Sequence, residues 1–199
     1  MRRLGSEDGK RSGALMDRGN HYEAAFEAYL QEQRLCYVGV DESRRTFLGD
    51  RPVKNLDFIV LGEEFRLLVD VKGRRFPGGP PGKERHVWET WSTIEDVTGL
   101  SRWVEYFGPG YRGILLFMYQ LQPSVAVADG TQDLWKWHGQ HYLLRGLDVA
   151  DYRRHMRQRS PRWGTVGLPG TAFRDLVRPF SAFTDCPEVR AESWPFQRA

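Results

Sequence analysis

Along residues 19–33 (GNHYEAAFEAYLQEQ), apolar side chains recur at Tyr22, Ala25, Phe26, Tyr29 and Leu30. That three-and-four spacing predicts a helix with one buried stripe, started by Gly19 and Asn20. At about 100° per residue, Glu23 falls at the margin of the stripe and Glu27 turns toward solvent. Glu23 therefore either complements the positive end of the helix dipole or looks inward at something that needs a carboxylate.

Downstream the period changes. LCYVGV (35–40) and RRTFL (44–48) read as short strands around the polar turn DES. LDFIVL (56–61) and FRLLVDVK (65–72) flank GEE and read as a hairpin. RRFPGGPPGKER (74–85) carries too much proline and glycine for regular structure and is expected to be a loop. A second helix is predicted from about Thr90 to Phe107, with Ile94, Val97, Leu100, Val104 and Phe107 on one face and Ser92 or Thr93 as its cap. GPG stops it, and GILLFMY (113–119) reads as a strand buried on both faces. The order is α, β, β, β, α, β, and the fold class is α/β. In the last third, LWKW and HYLLRGL suggest a hairpin around HGQ, DVADYRRHMRQ a basic helix, and RSPRWGTVGLPG a loop. Residues 1–18 are expected to form a disordered tail. Residues 19–199 are expected to form a single domain, with a core over 19–121 and an extension over 122–199.

Composition narrows the function classes without choosing one. The chain has 199 residues, 40% of them hydrophobic, which suffices for one core. It has no apolar run of membrane length, and MRRLGSEDGKRSGA lacks the apolar centre of a signal peptide. Cys36 and Cys186 are far apart and form no CxxC pair, so no cysteine zinc site or disulfide framework is implied. A cytoplasmic location is expected. The net charge of +3 does not by itself announce a nucleic-acid binder. Arginines and lysines nevertheless cluster at Lys72, Arg74, Arg75, Lys83 and Arg85, and again at Arg153, Arg154, Arg157, Arg159 and Arg162. Trp163, inside the second cluster, is the tryptophan best placed to stack on a base.

The chemistry sits in the hairpin. Side chains alternate across a strand, so Asp70 and Lys72 face the same way. With Leu61 opposite Arg66, Asp57 stands opposite Asp70, and two carboxylates share a sheet face with a lysine. Two acids 4–5 Å apart repel by roughly 3–4 kcal/mol at an effective dielectric near 20. A hard cation such as Mg²⁺ or Mn²⁺ would offset that repulsion. Metal and lysine together are the equipment of phosphodiester hydrolysis.

These residues, taken in order, resemble the PD-(D/E)XK nuclease superfamily and, within it, the archaeal Holliday-junction resolvases. GNHYEAAFEAYLQEQRL is similar to the resolvase opening helix with its G-x-x-Y-E start, LDFIV to the second motif, and VDVKG to the third. The resemblance implies a restriction-endonuclease-like αβββαβ core with a mixed central sheet flanked by helices. It also implies Glu23, Asp57 and Asp70 as ligands of Mg²⁺ or Mn²⁺, Lys72 as the catalytic lysine, and DNA, branched or from repair and recombination, as substrate. A homodimer would suit a junction with two symmetric cuts, although no segment marks a dimer face. HYEAAFE also matches the signature of an uncharacterised bacterial family named for H-Y-E-x-A-F-E. Three departures stand out: Leu56 rather than proline precedes Asp57, Asp70 replaces the commoner glutamate, and the Pro/Gly loop is longer. Phosphate contacts are expected from His21, Arg74, Arg75, Lys83, Arg85, Arg153, Arg154, Arg157 and Arg162. Glu95 and Asp96 either orient water or metal from behind or serve the dipole of the second helix. Two other classes remain open: a non-catalytic nucleic-acid-binding or partner-docking module on the same fold, and a nuclease acting on RNA.

Overall fold

The computed structural model describes residues 21–41, 46–48, 51–80 and 82–185. The tail expected over 1–18, Gly19, Asn20, Cys186 and Trp194 lie outside the described residues.

The apolar stripe of the opening segment forms helix α1 (His21–Glu32), burying Ala25, Phe26, Tyr29 and Leu30. Strand β1 (Cys36–Gly39) follows, and a small hairpin of β2 (Thr46–Leu48) and β3 (Arg51–Val53) separates it from β4 (Phe58–Leu61) and β5 (Arg66–Phe76). β1, β4 and β5 form an antiparallel meander. The turn between β4 and β5 closes as the GEE spacing predicts, with Leu61 paired to Arg66 and the Gly62 N–H donating to the Phe65 carbonyl at 2.9 Å.

A short β6 (Ser92–Thr93) leads into α2 (Ile94–Phe107), which starts at Thr93 because its side chain accepts the Asp96 N–H while Asp96 accepts the Thr93 N–H. β7 (Tyr111–Leu121) runs parallel to β5. Together, α1, the meander, α2 and β7 make the expected restriction-endonuclease-like αβββαβ core around a mixed sheet. β5 is longer than its composition suggests. Arg74–Phe76, expected in the loop, stay in the strand because pairing with β7 continues unbroken from Arg66 with Tyr111 to Phe76 with Leu121.

The extension adds the expected hairpin of β8 (Leu134–Trp137) and β9 (Gln140–Asp148), then α3 (Val149–His155), shorter than predicted. β10 (Arg157–Ser160) and β11 (Thr165–Gly167) come next, then α4 (Gly170–Leu176), β12 (Arg178–Pro179) and a 3₁₀ turn (Phe180–Phe183). Part of RSPRWGTVGLPG, expected as loop, is thus strand. β11 pairs with both β10 and β6, so the extension builds a second, three-stranded sheet against the start of α2. The main sheet runs β1-β4-β5-β7-β9-β12. No helix among the described residues is long and apolar enough to cross a membrane.

Alternation along β5 separates two cores. Leu67, Val69 and Val71 pack with α1, whereas Leu68 and Phe76 pack with α2, α3 and α4 through Val97, Leu100, Tyr152 and Phe173. Gly73 belongs to the α1 side. A Cβ there would come within 2.0 Å of the Tyr22 ring, so α1 lies directly on the strand. The even-numbered positions Asp70, Lys72 and Arg74 project to the other side, under α2.

Candidate active site

Lys72 is the centre of this second face. Its Nζ lies 2.7 Å from Asp70 Oδ1 and 3.1 Å from Asp96 Oδ2. Asp70 rises from the same strand two residues earlier, and Asp96 descends from the first turn of α2. Asp96 is pinned from above: it accepts the Ser92 hydroxyl at 2.9 Å, the Thr93 N–H at 2.9 Å and the Lys54 ammonium. Lys54 is half exposed, so one cation of the group is wet and the other is enclosed.

Asp57 reaches the group by a different geometry from the expected cross-strand pair. The last regular pair of the hairpin is Phe58 with Val69, yet the Asp57 N–H also goes to the Val69 carbonyl, at 3.0 Å. The extra residue turns the strand end, and the Asp57 carboxylate accepts the Val71 N–H at 2.5 Å. It lies beside the backbone between Asp70 and Lys72 rather than opposite Asp70.

The electrostatics follow from burial. Asp57, Asp70 and Asp96 are only 2%, 5% and 5% exposed. Burial pushes the Asp70 carboxyl above its ordinary value, and nearby Asp96 adds to that while Lys72 opposes it. Burial pulls the Lys72 ammonium down, but the charges of Asp70, Asp96 and Asp57 together outweigh it and its pKa is raised. Asp96 ends well below the carboxylate range because Lys72, Lys54 and the Thr93 N–H overcome its desolvation. Two buried carboxylates therefore hold one largely enclosed ammonium, with a third buried carboxylate nearby and a second ammonium at the rim.

The other expected residues are distributed unevenly around this cluster. Glu23 is half buried in the first turn of α1, so its carboxylate starts from the opposite side of the sheet. His21 is exposed on that same side, its ring 3.9 Å from Tyr22. Arg74 continues the row of Asp70 and Lys72 but is buried: it donates to the Gly73 carbonyl at 2.7 Å and to the Trp91 carbonyl, and its guanidinium lies 4.0 Å from the Trp91 ring centroid. Burial lowers its pKa. Arg75, Lys83 and Arg85 are exposed, with Arg75 on Gln122 and Arg85 on Glu89. Arg153, Arg154, Arg157 and Arg162 are exposed as well. Trp163 is 71% exposed with Arg162 over its ring. Glu95 points to solvent. Sequence reasoning gave Asp96 only a background role. Its direct contact with Lys72 was foreshadowed by the cap pattern S-T-I-E-D, which fixes an acid at the third helical position.

The donor set is oxygen only, and Asp57 and Asp70 suit a hard cation that binds through one or two acids and keeps its water. Among the described residues, no group of three or more His, Cys, Asp or Glu is disposed to hold a metal ion.

No protein-family model matches the chain and no curated protein matches it by sequence, so the H-Y-E-x-A-F-E family is not supported. Among solved structures, the chain is similar to a Holliday junction resolvase from the archaeal hyperthermophile Archaeoglobus fulgidus. Identity is 12% and the TM-score 0.42, over 77% of this chain and 89% of the resolvase.

Proposed function

We propose that this chain is a metal-dependent nuclease that hydrolyses phosphodiester bonds in DNA, with Asp57 and Asp70 holding Mg²⁺ or Mn²⁺ and Lys72 as the catalytic cation. The observation that carries the reading is the largely enclosed Lys72, held between Asp70 on its own strand and Asp96 on α2, with the Asp57 carboxylate beside it. A structural lysine needs a single partner, whereas this ammonium is shared by two carboxylates with a third close by.

A bound divalent cation supplies a Lewis acid for a phosphate oxygen and lowers the pKa of its water toward neutrality. The chain's own residues do the rest. Asp70 accepts from Lys72 and so sets the direction of the ammonium. Asp96, anchored by Ser92, Thr93 and Lys54, holds Lys72 from the other side and keeps it protonated. Lys72 then presents a fixed positive charge to the phosphate, where charge grows as the bond breaks. Asp57, locked onto the Val71 N–H, keeps its carboxylate aligned without rotamer loss. Glu23, the third ligand that the resemblance implies, starts from the far side of the sheet and is given no contact with the cation in this reading.

The resemblance to resolvases is what favours branched DNA. The test is cleavage of labelled junction, duplex and single-stranded DNA, and of RNA, by wild type and Lys72→Ala with Mg²⁺, Mn²⁺ or EDTA. Cutting that needs metal and is lost in the variant supports the reading. Binding without cutting under every metal condition favours the docking module.

A further inference from the structure

The row Asp70, Lys72, Arg74 does not stop at the acids. One strand step past Lys72, roughly 7 Å along β5, the Arg74 guanidinium lies on Trp91. Trp91 forms a wall of a cavity of about 480 Å³ between segment 85–91 and the small sheet of the extension. Trp88, Val87 and Leu168 complete its apolar side, and Arg157 and Arg159 its charged side. The size lies within the roughly 300–1,000 Å³ of small-molecule sites.

The local architecture keeps this space open and positive. Arg157 pairs across the ladder with Gly167, and an added Cβ on Gly167 would approach Thr90 and Trp91 no closer than 3.7 Å, so the floor beneath Arg157 carries no side chain. Arg159 sits at the irregularity in β10 and turns toward Trp91, 5.6 Å from its ring. Among the described residues neither arginine has an ion-pair partner. Glu89, the one acid in the lining, is engaged by Arg85 at 3.4 Å and by the Trp91 indole N–H at 3.1 Å. A second cavity of about 410 Å³ shares Arg157 and Pro169 with the first and adds Arg154 and His155. The two form a cationic groove with one aromatic end.

We propose that this groove binds an unpaired segment of the nucleic-acid substrate, with one base seated against Trp88 and Trp91 and the flanking phosphates on Arg157, Arg159 and Arg154. The inference rests on the nuclease reading and specifies its substrate class: DNA with an unpaired tail or flap next to the cleaved bond. A fully paired duplex presents phosphates on a convex surface and has no base to fill a concave apolar pocket, whereas an unpaired base has an exposed face for stacking. Continuity with Arg74 and Lys72 puts the pocket within a few nucleotides of the acids.

Binding is measured in EDTA by anisotropy, on a blunt duplex and on the same duplex with a short unpaired tail carrying 2-aminopurine. Wild type, Gly167→Leu and Arg157→Ala/Arg159→Ala are compared after circular dichroism confirms folding. Wild type is expected to prefer the tailed DNA by on the order of tenfold and to change the 2-aminopurine fluorescence. Gly167→Leu, which fills the floor, should bring the preference near one. The double arginine variant should reduce the salt slope for tailed DNA by about two. Equal wild-type affinity for both DNAs, or a preference that survives both variants, overturns the pocket. Metal-dependent cleavage without any tail preference removes the pocket and leaves the nuclease standing. No binding and no cleavage of any DNA removes both.

Discussion

Neutralising Asp96 tests how the site is held together. Asp96→Asn keeps an acceptor for the Thr93 N–H and Ser92 hydroxyl but removes the charge that Lys72 meets at 3.1 Å. At an effective dielectric near 20, that separation corresponds to roughly 5 kcal/mol of Coulomb energy. Desolvating the pair cancels part of it, so the net loss on breaking it is expected at about 2–4 kcal/mol. Lys54 contributes little to the difference, since its half-exposed ammonium is well screened once released. The assay is urea unfolding of wild type, Asp96→Asn, Lys72→Met and the double variant. The cycle should give a coupling of at least about 1.5 kcal/mol, because Lys72→Met removes the cation that Asp96 serves. Additivity within about 0.5 kcal/mol would refute the pairing as the element that fixes Lys72. Asp96 also has a pH signature. Its folded pKa is depressed, so its contribution is present above the ordinary carboxylate range near 4 and is lost as pH falls through the lower folded value. The stability difference between wild type and Asp96→Asn should therefore shrink on acidification below about pH 4.

Other consequences can be checked independently. Gly73→Ala pushes a methyl group into the Tyr22 ring and should cost about 1–3 kcal/mol by overpacking α1 on β5; a melting temperature equal to wild type would contradict that contact. Mn²⁺ should raise the wild-type melting temperature with the logarithm of its concentration above Kd, corresponding to about 2.7 kcal/mol of stability at a hundredfold excess, and Asp70→Asn should abolish the effect. Tyr29 donates to Asp133 at 3.2 Å, and Asp133 accepts the Ser181 N–H at 2.6 Å, tying α1 to the 3₁₀ turn. Asp133→Ala should lose about 1–3 kcal/mol through the orphaned N–H without changing relative cleavage of tailed and blunt DNA, and an altered ratio would mean the tie reaches the site.

The chain discloses its core because the relevant signals are local. The stripe of α1, the tight GEE turn and the cap of α2 each depend on a few neighbouring residues; the first two appear as read, and of the two expected caps Thr93 is the one that serves. The hairpin register from Leu61 to Arg66 follows from the turn alone. What fails is what needs a distant partner. Arg74–Phe76 look like loop, but β7 supplies a full ladder. Asp57 is displaced from its expected pairing by an extra residue at a strand end, which no periodicity marks. Arg74 reads as a phosphate contact from its charge, and only the arrival of Trp91 shows it buried. β10 is RQRS, polar throughout, and becomes a strand only because β11 lies beside it and β6 beyond.

The central claim concerns Lys72, and single-turnover cleavage of a bound DNA substrate in Mn²⁺ tests it most directly. Lys72→Met should bind the substrate as wild type does and cleave it at least about a hundredfold more slowly, with no cleavage by either protein in EDTA. Cleavage by Lys72→Met at the wild-type rate would contradict the account.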